Sequence, residues 1–210
     1  MKKVNLLCFA IVALFFTACS SSLTRVACVG DSITFGYGLP NENSYPVELS
    51  KNLGAKYSVL NFGMSGTTLQ KETDFSYWKS KEFTNVFAER PNVIIVKLGT
   101  NDTKKAFWNA EHFAADYQLL IDRLKTIPGN PRIYVCLPVP VYKNKFNISE
   151  AVMTTGVIPA VEQIAKRNKL TIIDLYNPFS NMADNFPDGV HPNEKVAKMM
   201  ADIISAAIKK

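Results

Sequence analysis

The chain has 210 residues, 47% of them hydrophobic, with 24 basic and 18 acidic side chains and a formal charge of +6. That is enough apolar material for one well-buried core and too little length for two comfortable domains. The basic residues are scattered, as in Lys79/Lys81, Lys104/Lys105 and Lys143/Lys145; with no long basic run and no nucleic-acid motif, a solvated surface is their default reading and no nucleic-acid partner is expected.

The chain opens on Met1-Lys2-Lys3 and an apolar stretch from Val4 to Phe16, too short to stand as a permanent membrane helix, which is the pattern of a signal peptide over residues 1–18. Phe16-Thr17-Ala18-Cys19, followed by Ser20-Ser21-Ser22, resembles the lipobox of bacterial lipoproteins. That resemblance implies a lipid on Cys19, a short tether over residues 19–24, and a protein held to the membrane in the cell envelope, facing the periplasm or the cell surface. Phe16 stands where the pattern usually has an aliphatic residue, and an ordinary secretory cut is the alternative. Loss of the leader removes Lys2 and Lys3 and lowers the formal charge by two, to +4. It also removes Cys8, leaving Cys28 and Cys136, each within an apolar, strand-like run. Their strands are not neighbours in the sheet order proposed below, so they should exceed the roughly 7 Å Cα separation that a disulfide tolerates and stay buried thiols.

Within the single domain expected over residues 25–210, Val26-Ala27-Cys28-Val29 reads as a buried strand that stops at Gly30-Asp31-Ser32 and turns into a helix, with Ser32 at the turn. A glycine-rich loop, Phe35 to Pro40, leads to a short helix near Pro46 to Leu53, closed by Gly54. Tyr57 to Phe62 is a second strand, and it runs into Gly63-Met64-Ser65-Gly66-Thr67, where glycines permit close backbone approach or positive φ. Leu69 to Glu89 reads as helix in two pieces. Val93 to Leu98 is the strongest strand signal, apolar enough for a central strand covered on both faces, and it ends in Gly99-Thr100-Asn101-Asp102. An amphipathic helix from Asn109 to Thr126 carries Phe113, Tyr117, Leu120 and Leu124 at helical spacing; its His112 reads as a surface residue. Arg132 to Leu137 and Leu170 to Leu175 are the fourth and fifth strands. A helix through Ile158 to Asn168 lies between them, with Pro159 in a first turn or marking a kink, and a last helix runs from about Asn193 to Ile208.

Alternating strands and helices imply an α/β three-layer sandwich, and five strands in the flavodoxin-like parallel order 2-1-3-4-5 are the simplest arrangement. Its switch point lies between the first and third strands, which brings Ser32 and Asn101 to one crevice. Asp188-Gly189-Val190-His191, just before the last helix, places a carboxylate and an imidazole three residues apart across a turn. There the carboxylate can hold one ring nitrogen while the other faces the crevice, a base and its orienter in one loop.

Together Gly30-Asp31-Ser32, Gly63-Met64-Ser65-Gly66, Gly99-Thr100-Asn101-Asp102 and Asp188-Gly189-Val190-His191 resemble, in order and over nearly the whole domain, the four blocks of the SGNH hydrolases, or GDSL esterases. The resemblance implies ester hydrolysis with neither metal nor cofactor. It implies Ser32 as nucleophile, His191 as base and Asp188 as its orienter, with the backbone N–H groups of Ser32 and Gly66 and the amide of Asn101 facing the developing oxyanion. Asp31 and Asp102 read as turn and cap carboxylates, Asp31 being also a candidate substrate contact. Trp108, Tyr142 and Phe146 are candidates to line the acyl or alcohol pocket, with local packing the alternative. Segments Asn61 to Thr68, Leu98 to Thr103 and Leu137 to Tyr142 are similar to members acting on acetylated sugars, which points to short-chain, acetyl-type esters on glycans. A lysophospholipase or thioesterase, or a binding lipoprotein on a retired hydrolase fold, are the other readings.

Overall fold

The structure, a computed structural model, describes residues 23–210; the leader and the lipobox cysteine Cys19 lie outside the described residues. Five parallel strands, β1 (Thr24–Gly30), β2 (Tyr57–Gly63), β3 (Val93–Lys97), β4 (Arg132–Leu137) and β5 (Thr171–Asp174), pair in the order β2-β1-β3-β4-β5, the order predicted from the sequence. The helices are α1 (Ser32–Phe35), α2 (Tyr45–Leu53), α3 (Lys81–Glu89), α4 (Ala110–Lys125), α5 (Glu150–Val152), α6 (Ile158–Asn168) and α7 (Glu194–Ile208).

Successive side chains of a strand point to opposite faces, and here both faces are apolar. Ala27, Val29, Ile94, Val96, Ile133 and Val135 meet Val86 of α3, Phe113, Tyr117 and Leu120 of α4, and Val161 and Ile164 of α6. Val26, Cys28, Ile95, Tyr134, Cys136 and Ile173 meet Tyr45 and Leu49 of α2 and Val196, Met200 and Ile204 of α7. Cys28 and Cys136 are buried free thiols, held apart because β3 runs between their strands.

Gly30 stands opposite both Gly63 and Lys97, so the three strands end level and deliver their loops to one edge. Gly30 leaves no room for a side chain, since a Cβ there would lie 2.0 Å from Thr34 Oγ1 and 2.7 Å from the Lys97 carbonyl oxygen. At Gly63 a Cβ would lie 2.2 Å from the Phe35 nitrogen, so the end of β2 can touch the turn after β1 only because this position is glycine.

One local expectation changes. Only the second half of the segment 69–89 is α-helix, α3, preceded by a single turn at Tyr77–Lys79. Residues 69–75 form a loop instead, pinched where Thr68 N donates to the Phe75 carbonyl and Tyr77 N to the Thr68 carbonyl, and tied down by Asp102, which accepts from Leu69 N and Gln70 N, and by Asp116, which accepts from Lys71 N. Pro159 sits in the first turn of α6, directly after a widened turn at Met153–Val157 that follows α5. A proline there withholds a helical N–H and crowds the carbonyl one turn back, and a turn with longer spacing accommodates both.

Candidate active site

The turn after β1 positions Ser32. Asp31 caps α1 by accepting from Ile33 N at 2.9 Å, and Gly36, at φ 94°, closes the same turn by donating to the Ser32 carbonyl. The Asp31 carboxylate is fully buried and meets Lys97 Nζ at 3.3 and 3.4 Å; that ammonium also donates to Thr100 Oγ1 at 3.3 Å. As the first residue of α1, Ser32 keeps a backbone N–H ahead of the helical hydrogen-bond ladder.

From the far end of the chain, His191 Nε2 comes to 2.8 Å from Ser32 Oγ, and its Nδ1 lies 2.7 Å from Asp188 Oδ2. The other oxygen of Asp188 accepts from Val190 N at 3.0 Å and His191 N at 2.8 Å, which fixes the loop that carries both residues. Burial pushes the Asp188 carboxyl upward, but the hydrogen bonds from the His191 backbone and ring and from Val190, with the charge of the ring, hold it below the usual carboxylate range. Gly189 is left-handed at φ 82°, and a Cβ on it would lie 2.3 Å from the Lys143 carbonyl oxygen, so the turn needs glycine twice over.

The loop after β2 supplies Gly66, left-handed at φ 80°. Asn101, from the turn after β3, donates to the Thr67 carbonyl at 3.0 Å, which aims its amide at the mouth shared with Ser32 and Gly66. The neighbouring Asp102 is sealed inside, holding Leu69 N at 2.8 Å and Gln70 N at 2.9 Å, so one short turn both presents Asn101 and ties down the Gly66 loop. Burial raises the Asp102 carboxyl to about 6 despite those donors.

Ser32, Gly66, Asn101 and His191 thus share one crevice of about 190 Å³, walled by Tyr37, Phe146 and Ile148. The ring centroids of Tyr37 and Phe146 lie 4.5 and 5.5 Å from that of His191, so the imidazole is packed between two aromatics. Beyond Tyr37 and His191, and sharing both with the crevice, lies a second hollow of about 390 Å³, bordered by Leu39 and Pro187.

Three of the substrate contacts proposed from the sequence lie elsewhere. Asp31 faces Lys97 and has no exposed surface to offer a ligand. Trp108 packs on Phe113 with ring centroids 5.4 Å apart and fills the space left by Gly156, where a Cβ would lie 2.3 Å from the indole. The Tyr142 hydroxyl bridges the Phe179 carbonyl and Met182 N, and its ring packs on Phe186. Phe146, weighed with them, does line the crevice. Tyr37, Lys104 and Ile148 also line the crevice and were not foreseen; an aromatic between two glycines after the serine turn, and a lysine directly after the asparagine turn, were signals for the first two, and Ile148 carried none.

A flavodoxin-like sheet that holds a serine, a histidine and an aspartate in one hydrogen-bonded line at its carboxyl edge defines the class of GDSL-type acylhydrolases. The chain belongs to the GDSL-like lipase/acylhydrolase family, whose model matches residues 28–199. It is 38% identical over 206 residues to the acetylxylan esterase of Xylanibacter ruminicola, a match covering 88% of this chain and 43% of that protein. A cellulase/esterase of Acetivibrio thermocellus matches at 21% identity, over 88% of this chain and 25% of its own. The chain therefore spans less than half the length of these curated relatives. Among solved structures, a carbohydrate acetylesterase family member from Sinorhizobium meliloti aligns with a TM-score of 0.73 at 19% identity, covering 89% of this chain and 98% of that one. The aryl esterase of M. smegmatis aligns at 0.70 with 20% identity and the same coverages. At those identities the likeness is one of fold.

Proposed function

We propose that the protein is a serine carboxylic-ester hydrolase that removes short acyl groups, acetyl foremost, from carbohydrates. One observation carries this reading: Ser32 Oγ, both ring nitrogens of His191 and Asp188 Oδ2 form an unbroken line of 2.8 and 2.7 Å contacts. In the proposed reaction His191 Nε2 accepts the Ser32 proton as Oγ bonds to the ester carbonyl carbon, while Asp188 holds the tautomer and offsets the charge of the imidazolium. The oxyanion meets the N–H groups of Ser32 and Gly66 and the Asn101 amide, donors of a kind worth about 2.7–4 kcal/mol each in the transition state. His191 then protonates the leaving alcohol, and water admitted to the acyl-enzyme repeats the sequence and frees the acid.

The small crevice supports an acetyl-sized group, since about 190 Å³ is below the roughly 300–1,000 Å³ typical of drug-sized ligands. The acetylxylan esterase relative supports a glycan as the alcohol side. The test is turnover of 4-nitrophenyl acetate against the octanoate by wild type and Ser32→Ala. Acetate should be much the faster, and the variant should lose about 10⁶-fold in kcat. Equal or faster octanoate turnover would indicate a lysophospholipase or thioesterase, and no turnover of either a binding lipoprotein. The same proposal places the enzyme in the bacterial cell envelope, anchored through a lipid on Cys19; the Cys19→Ala variant should then leave the membrane fraction, and unchanged partition would refute the anchor.

A further inference from the structure

We propose that Lys97, buried at the end of β3, is a positioning residue for the oxyanion donors: its ammonium ties the turn that carries Ser32 to the turn that carries Asn101 and so sets the separation of nucleophile and amide. This deepens the esterase reading above and rests on it. Nζ reaches the two oxygens of Asp31 at 3.3 and 3.4 Å and Thr100 Oγ1 at 3.3 Å, so its N–H bonds are divided between two loops. Asp31 is the residue before Ser32, and Thr100 is the residue before Asn101. Although Thr100 stands at the head of the Asn101–Thr103 turn, its hydroxyl makes no cap bond to that turn and accepts from Lys97 instead.

The pairing of β1 with β3 ends at Gly30 and Lys97, short of both functional residues. Gly99, left-handed at φ 119°, then swings the backbone away from the strand direction, so the sheet ladder does not by itself fix where the Asn101 amide falls. The Thr67 carbonyl takes one of the two N–H bonds of that amide at 3.0 Å and leaves the other for a ligand oxygen. Further along the same turn, Thr103 Oγ1 donates to the Thr100 carbonyl at 2.8 Å and accepts from Ser149 N at 3.0 Å, next to Ile148 of the crevice wall. Lys97 is the link that carries this frame across to the Ser32 side. Stability alone does not call for an ammonium here: Asp31, Lys97 and Thr100 are 0, 0 and 2% exposed, and a buried ion pair often stabilises no better than apolar side chains of the same volume. An apolar side chain could not hold oxygens of two loops in register, and a misplacement of about 1 Å can cost about 10²-fold in rate.

The test is a double-mutant cycle on the turnover of 4-nitrophenyl acetate, under conditions where urea unfolding shows each variant folded. Thr100→Val removes the hydroxyl, keeps the side-chain shape and leaves the Asp31–Lys97 pair in place. It should lower kcat about tenfold with KM within about twofold of wild type. In an Asn101→Ala background, itself down about 10²–10³-fold, the same change should cost less than about twofold more, because the residue through which it acts is gone. Lys97→Met combined with Asp31→Asn should regain stability over Lys97→Met alone without regaining kcat. Unchanged kcat in Thr100→Val, a loss that multiplies in full with that of Asn101→Ala, or a kcat that returns together with stability overturns the inference. Wild-type turnover that is lost in Ser32→Ala would then still leave the esterase standing, whereas a wild type inactive on 4-nitrophenyl acetate takes both down.

Discussion

Two aspartates flank the crevice, each held by one basic side chain, and the two pairs are built in opposite ways. Asp31 and Lys97 face each other at 3.3 Å with no side-chain exposure, sealed between the ends of β1 and β3. Asp188 and His191 meet at 2.7 Å at the surface, with side chains 26% and 11% exposed. The sealed pair has no path to exchange a proton with a substrate, and what it does is hold the turn that presents Ser32. The open pair lies within reach of solvent, and in the proposed reaction its work is to take a proton from Ser32 and hand it on. The contrast separates a charge used for position from a charge used for chemistry.

The largest test of that contrast is Asp188→Asn. An amide can still accept from Val190 and His191 N, but it neither fixes the tautomer nor offsets the imidazolium. We expect kcat on 4-nitrophenyl acetate to fall about 10⁴-fold. The urea midpoint should stay close to wild type, because a partly exposed pair contributes about 1 kcal/mol or less. Loss of folding stability comparable to that of a buried-pair variant would erase the distinction.

Lys97→Met is the complementary experiment. It leaves a carboxylate buried without its partner, and we expect a loss of about 3–5 kcal/mol of stability, read as a lower urea midpoint. Adding Asp31→Asn, which preserves a cap acceptor for Ile33 N but removes the stranded charge, should recover part of that loss. A single variant as stable as wild type would show that the pair is not what holds the turn.

The smallest effect concerns pH. Asp102 has its folded pKa raised to about 6 from an ordinary 3.8, so the folded state binds this proton more tightly than the unfolded chain. Its contribution to stability is therefore greatest below the ordinary value and declines as pH rises through the interval from about 4 to about 6, by at most on the order of 3 kcal/mol. Asp188, held low, acts with the opposite sign: its stabilisation is present above the ordinary carboxylate pKa and is lost as pH falls below it. Urea unfolding across that interval should show a decline in wild type that Asp102→Asn flattens; an identical slope in both would remove Asp102 as its source.

The sequence made the backbone frame legible wherever local chemistry repeats. Near-continuous apolar runs ending in glycine and a polar turn marked β1 and β3, and the Asp188-x-x-His191 spacing marked a loop whose two side chains face one way. It misled where a partner lies far away along the chain. Nothing near Lys97 in the sequence accounts for a charge at the end of an apolar strand, because the carboxylate it meets stands 66 residues earlier. The segment after Thr68 read as helix, since the pairing of Thr68 with Phe75 and Tyr77 that closes it into a loop leaves no local signature. Trp108 and Tyr142 were placed correctly in loops past strand ends, yet position in a loop does not say which way a ring turns, and Gly156 and Phe186 draw them into packing.

Composition and order along the chain were sufficient to determine an α/β sandwich, its strand order and the residue types brought to its carboxyl edge, because periodicity and turn chemistry are properties of neighbours. Only the tertiary structure decided that Asp31 serves Lys97 and that Tyr37 and Phe146 flank the imidazole. Those are facts of distance between residues remote in sequence, and distance is set by packing.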